Sequence, residues 1–161
     1  AASIRIACIN GMQRCGIQPM TRGYFIGMKP KWYGRTWVCL GDSLTESNSR
    51  TTKHYFDYVA EKTGIKTVNL GVSGTGYMRR KDINRTFYQR VSDIPEDADV
   101  ITIFGSGNDL SSDQTLGTVT DTGTDTICGC INATIDAIYE RIPLARLGIV
   151  TPDSVGRQYA F

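Results

Sequence analysis

Short runs of consecutive apolar residues alternate along this chain with stretches whose apolar positions recur every three or four residues. Thr36-Trp37-Val38-Cys39-Leu40, ended by Gly41-Asp42, predicts a buried strand. Thr67 to Leu70, Asp99 to Phe104 and Leu147 to Val150 read the same way. Between them, Tyr55, Phe56, Val59 and Ala60 form one face of a helix expected within Thr51–Thr63, with Gly64 as its stop. Ile83, Phe87, Val91 and Ile94 recur at helical spacing up to Pro95, and Ile127, Ile131, Ile135, Ile138 and Ile142 mark a last helix before Pro143. Apolar strands alternating with amphipathic helices predict a parallel sheet covered on both faces, a doubly wound α/β/α sandwich.

Two stretches stand outside the alternation. Residues 111–124 are rich in Ser, Thr, Asp and Gly and predict an exposed loop, either a plain surface loop or the border of a substrate cleft. Residues 1–35 show no clear period and are expected to be an N-terminal extension, with the α/β domain spanning 36–161. This extension carries six basic residues and no acid, so of the total of 18 basic and 16 acidic residues the remainder holds 12 and 16, a balance of −4. Its charges are dispersed among Ile4, Ile6, Ile9, Tyr24, Phe25 and Ile26, which favours a packed or solvated extension over a nucleic-acid-binding arm. At 161 residues, with 40% hydrophobic and 21% charged, the chain suits one core, and no apolar run is long enough to suggest a membrane span. The first residues lack the basic-then-apolar layout of a signal peptide, and localisation stays open. The five cysteines (Cys8, Cys15, Cys39, Cys128, Cys130) are an odd number, which argues against a complete disulfide framework. Cys128-Gly-Cys130 is a poor zinc half-site without a second pair, so neither a metal nor an organic cofactor is expected.

Three segments follow three of the predicted strands: Gly41-Asp42-Ser43-Leu44, Gly71-Val72-Ser73-Gly74 and Gly105-Ser106-Gly107-Asn108-Asp109. In doubly wound sheets, ligands bind beyond the carboxyl ends of the strands, where the winding reverses. Acyl transfer needs a nucleophile and donors for the oxyanion that forms. Ser43 offers a hydroxyl at a strand-to-helix turn, Gly74 a backbone N–H without a Cβ to shield it, and Asn108 a carboxamide. Asp42 and Asp109 adjoin them as supporting residues.

These blocks resemble the SGNH or GDSL hydrolases: Gly41 to Leu44 is similar to their first block, Asn69 to Gly74 to the second, and Gly105 to Asp109 to the third. The resemblance runs from about Trp37 to about Pro152. It implies a flavodoxin-like fold and ester hydrolysis through Ser43, with Gly74 and Asn108 completing the oxyanion hole. Substrates in such a family include acetylated sugars, lipids, thioesters and small aryl esters. The family also carries Asp-x-x-His after its last strand, whereas Asp153-Ser154-Val155-Gly156 ends in glycine. The only histidine, His54, lies on the first predicted helix and reads as a surface or helix-packing residue, so the catalytic base is unknown.

Two readings follow. One is an ester hydrolase of small or acetylated-carbohydrate esters whose chain is C-terminally truncated, or whose base comes from another polypeptide. The other is a non-catalytic binding or structural module, for example in a phage or surface assembly. On the truncated reading, a missing sheet edge predicts self-association or a partner chain. A nucleotide-binding flavodoxin-like protein is disfavoured, because the glycine-rich stretch at 71–76 follows the second strand and there is no phosphate loop.

Overall fold

The computed structural model describes residues 29–78, 85–109 and 114–151. A boundary between two compact units falls after Lys31, and the fold below belongs to the unit that starts at Trp32. Most of the expected N-terminal extension, including Cys8 and Cys15, lies outside the described residues, as does the 153–156 stretch.

Four parallel strands form one sheet: β1 (Thr36–Gly41), β2 (Lys66–Gly71), β3 (Val100–Phe104) and β4 (Arg146–Val150), in the order β2-β1-β3-β4. Helix α1 (Tyr55–Thr63) joins β1 to β2, and helix α2 (Ile127–Arg141) joins β3 to β4. This is the doubly wound, flavodoxin-like α/β fold. The strands fall where the apolar runs predict them.

β1 lies centrally because its side chains are apolar in both directions. Trp37 and Cys39 pack with Phe56 and Ile65 on the α1 side. Val38 and Leu40 point the opposite way, into a cluster with Phe87, Val91, Ile94, Ile101, Ile103 and Ile138. One strand thereby nucleates two cores.

The helix ends follow from local chemistry. Gly64 closes α1 at φ +71°, and a Cβ there would stand 2.4 Å from the Tyr33 ring. Thr126 caps α2, its Oγ1 accepting from Gly129 N at 3.1 Å and donating to Asp121 Oδ2 at 2.8 Å. The described part of the polar loop, 114–124, folds onto this helix start: Asn132 Nδ2 donates to the carbonyls of Val119 and Asp121.

One element differs from expectation. The spacing of Ile83, Phe87, Val91 and Ile94 predicts an α-helix, but a 3-10 helix spans Tyr88–Asp93, and Ile83 lies outside the described residues. Arg90 N is shared between Phe87 O at 3.1 Å and Thr86 O at 3.3 Å, Ile94 N donates to Val91 O in the tighter i−3 pattern, and Ile94 is already extended. Pro95 disfavours a helical Ile94 and so limits the segment to a short turn, which Arg90 anchors. Its side chain turns inward beneath the sheet and is only 1% exposed, so this segment is anchored by a buried cation rather than by an apolar stripe alone.

Candidate active site

Winding reverses between β1 and β3, and all three special segments begin at the carboxyl ends of their strands. After β1 the chain turns at once: Thr45 N and Glu46 N both donate to Asp42 O, at 3.1 and 2.9 Å. Asp42 Oδ1 accepts from Leu44 N at 2.9 Å, which wraps the peptide around a half-buried Ser43. Gly41 permits this turn, since a Cβ there would lie 2.1 Å from Thr45 Oγ1. Burial raises the Asp42 carboxyl above its ordinary pKa, and the backbone N–H bonds it accepts offset part of that shift.

The segment after β2 is clipped to the Ser43 turn by side chains. Asn69 Nδ2 donates to Ser47 Oγ at 2.9 Å, and Ser73 N donates to Glu46 Oε1 at 3.2 Å. Gly74 follows at φ +75°, a conformation open to glycine. Thr75 then turns back, its N and Oγ1 both donating to Val72 O.

The third segment locks onto the second. Asn108 Nδ2 donates to Thr75 O at 2.8 Å and stands 3.5 Å from Asp42 Oδ2. Asn108 N donates to Ser106 Oγ, which donates in turn to Thr75 O. The carboxamide therefore touches the residue before Ser43 and the residue after Gly74. Asp109, 1% exposed, accepts from Tyr77 N at 2.9 Å and Met78 N at 3.0 Å. Gly76 makes room for it, because a Cβ there would lie 2.4 Å from Asp109 Oδ1.

Two residues that the sequence reading passed over hold the arrangement from below. Arg90 Nη2 donates to Gly41 O at 3.1 Å and to Thr75 Oγ1 at 2.7 Å, and Nη1 donates to Leu70 O. Its Cζ lies 5.2 Å from the Phe87 ring centre, and burial lowers its pKa to about 10. Thr75 is the other, linking Arg90 on its hydroxyl to Asn108 on its carbonyl. The signal for Arg90 was present: a cation among Phe87, Val91 and Ile94 on one apolar face.

His54 is not on α1 but caps it from the preceding position. Its N donates to Asp57 Oδ2 at 2.8 Å, Nε2 lies 3.5 Å from Asn48 N and from Thr51 Oγ1, and the ring stacks on Phe56. These contacts suit a helix-start residue. Among the described residues no group of His, Cys, Asp and Glu could hold a metal ion, and no helix is long and apolar enough to cross a membrane. An open apolar cleft of about 220 Å³, lined by Trp32, Trp37, Val59, Thr63, Ile65, Val100 and Thr102, includes the amino-terminal residues of β1 and β3 and none of the three segments.

Comparison with known proteins agrees with this fold. The family model of GDSL-like Lipase/Acylhydrolase matches residues 39–160. A solved protein from Lactobacillus plantarum is 31% identical over 74% of this chain and 57% of its own, with a TM-score of 0.67. A possible lipase from Chitinophaga pinensis is 26% identical over 73% of this chain and 48% of its own, with a TM-score of 0.57. A Bacteroides ovatus protein described as a GDSL-like lipase is 18% identical over 75% of this chain and 74% of its own, TM-score 0.63, a likeness of fold. The chain spans a little over half the length of the first of these structures. No curated protein matches it. With three ordered blocks on one rim of a doubly wound sheet and a family match over most of its length, the chain belongs to the GDSL-like lipase/acylhydrolase family.

Proposed function

We propose that this chain carries the nucleophile and oxyanion-binding half of a serine ester hydrolase acting on small acyl or acetyl esters, including acetylated carbohydrates. Ser43 Oγ attacks the ester carbonyl, its proton passes to a base, and the carbonyl oxygen takes the negative charge. Collapse of that adduct expels the alcohol and leaves an acyl-Ser43, which water then hydrolyses. The N–H of Ser43, the N–H of Gly74 and the Asn108 carboxamide receive the oxyanion. Asp42 and Asp109 support them by fixing the turn at Ser43 and the 76–78 backbone.

The observation that carries this reading is the Asn108 carboxamide. Its Nδ2 donates to Thr75 O at 2.8 Å and lies 3.5 Å from Asp42 Oδ2, which sets a carboxamide donor between the residue before Ser43 and the residue after Gly74. On this reading the base is a histidine supplied from outside these residues, because His54 is engaged at the start of α1. A triad enzyme without its base keeps roughly 10³–10⁴-fold catalysis over water.

A fluorophosphonate probe tests the proposal. Through the catalysis that remains without the base, wild type is expected to become labelled slowly at Ser43, Ser43→Ala to remain unlabelled, and Asn108→Ala to react roughly 10²–10³-fold more slowly still. No labelling of folded wild type at high probe concentration would leave a non-catalytic binding module as the better reading.

A further inference from the structure

We infer that Arg90 is a positioning residue for this site, setting the Asn108 carboxamide against the Ser43 turn through Thr75. The inference rests on the reading of Asn108 as an oxyanion donor. Burying a cation is expensive unless its hydrogens are well placed. Here the two terminal nitrogens donate to neutral oxygens at a single rim, the last carbonyl of β1 (Gly41), the carbonyl of Leu70 near the end of β2 and the Thr75 hydroxyl, while the buried Nε makes no hydrogen bond. A planar guanidinium presents its donors in a fixed fork, so it sets the mutual orientation of three acceptors. A lysine ammonium is a point charge on a flexible stem and does not.

Thr75 transmits that orientation. Its hydroxyl accepts from Arg90 at 2.7 Å and donates to Val72 O at 2.6 Å, which fixes the turn containing Gly74. Its carbonyl is the common acceptor for Ser106 Oγ at 3.2 Å and Asn108 Nδ2 at 2.8 Å. Movement of the Thr75 peptide would carry the Gly74 N–H and the Asn108 carboxamide together. Because Arg90 also grips Gly41 O, the reference point for that movement is the residue two before the nucleophile. A residue that merely filled the space under the sheet would need none of this.

The test uses Arg90→Lys and Thr75→Val, the latter removing only the hydroxyl with little change of shape. Two signals are followed in the full chain: the Asn108 side-chain amide resonances, and the rate of Ser43 labelling by a fluorophosphonate. Both variants are expected to shift the Asn108 amide signals and to slow labelling roughly 10- to 100-fold, part of the loss expected for the whole donor. In an Asn108→Ala background, Arg90→Lys is expected to slow labelling clearly less than it does in wild type, the remainder acting through the Gly74 N–H, since coupled residues are not additive. Folded variants with unchanged Asn108 signals, or an undiminished rate effect in that background, would overturn the inference. Should Arg90→Lys not fold, Thr75→Val decides. Should wild type not be labelled at all, the hydrolase reading fails, and the Asn108 signals still decide whether Arg90 positions the carboxamide.

Discussion

Truncating Asp109 to alanine is expected to destabilise the domain by roughly 3–5 kcal/mol. Its carboxylate accepts the N–H groups of Tyr77 and Met78 at 2.9 and 3.0 Å from a site that is 1% exposed. Bonds to a charged acceptor are worth about 1.5–3 kcal/mol each, and each buried donor left bare costs about 1–3 kcal/mol. For a domain of this size, about 2–4 °C of melting temperature accompanies each kcal/mol, so the melt should fall by roughly 10 °C. Urea titration checks it, with a lower midpoint at an unchanged slope. Gly76→Ala supplies an independent arm. Its new Cβ would sit 2.4 and 2.6 Å from the two Asp109 oxygens, forcing the carboxylate off its donors. In the Asp109→Ala background that clash disappears, so Gly76→Ala should cost clearly less there. A loss under about 1 kcal/mol for Asp109→Ala, or strict additivity of the pair, would refute the assignment of Asp109 as the residue that fixes the 76–78 backbone.

Two further outcomes are expected. Asp99 accepts from Thr36 N at 2.8 Å and from Arg35 Nη1 at 2.7 Å, and these bonds, the backbone one first, hold its carboxyl below the ordinary value. Its stabilisation is therefore present above about pH 5 and lost as pH falls through the depressed folded-state value. The stability gap between wild type and Asp99→Asn should shrink on acidification, and a gap independent of pH in urea titrations would contradict this. Burial pushes the Cys39 thiol up to about 12 and that of Cys130 to about 11. At mildly alkaline pH both should resist iodoacetamide in the folded protein and react in concentrated urea, as read by peptide mapping; equal labelling in both states would count against their burial.

The sheet was legible because its signal is local. Val38 and Leu40 alternate with Trp37 and Cys39, and both sets are apolar, which only a strand buried on two faces requires. Gly64 announced the end of α1 by the same local logic, a left-handed residue after the last turn. The candidate site was legible as three blocks, since each block begins at the carboxyl end of a strand. What joins those blocks was not legible. Arg90 reaches Gly41 across 49 positions and Asp109 reaches Tyr77 across 32, and no periodicity encodes contacts of that range. The 3-10 segment differs from an α-helix because periodicity sees Phe87, Val91 and Ile94 on one face, whereas the backbone is already extended at Ile94, before Pro95.

Arg90 and Asp99 lie on the same connection between β2 and β3, and they grip opposite ends of the central strand, Gly41 at one and Thr36 at the other. That short stretch works as a brace spanning the full height of the sheet. Engineering of this domain should therefore leave 86–99 intact, whereas changes in 114–124, whose contacts are with the start of α2, leave the brace untouched.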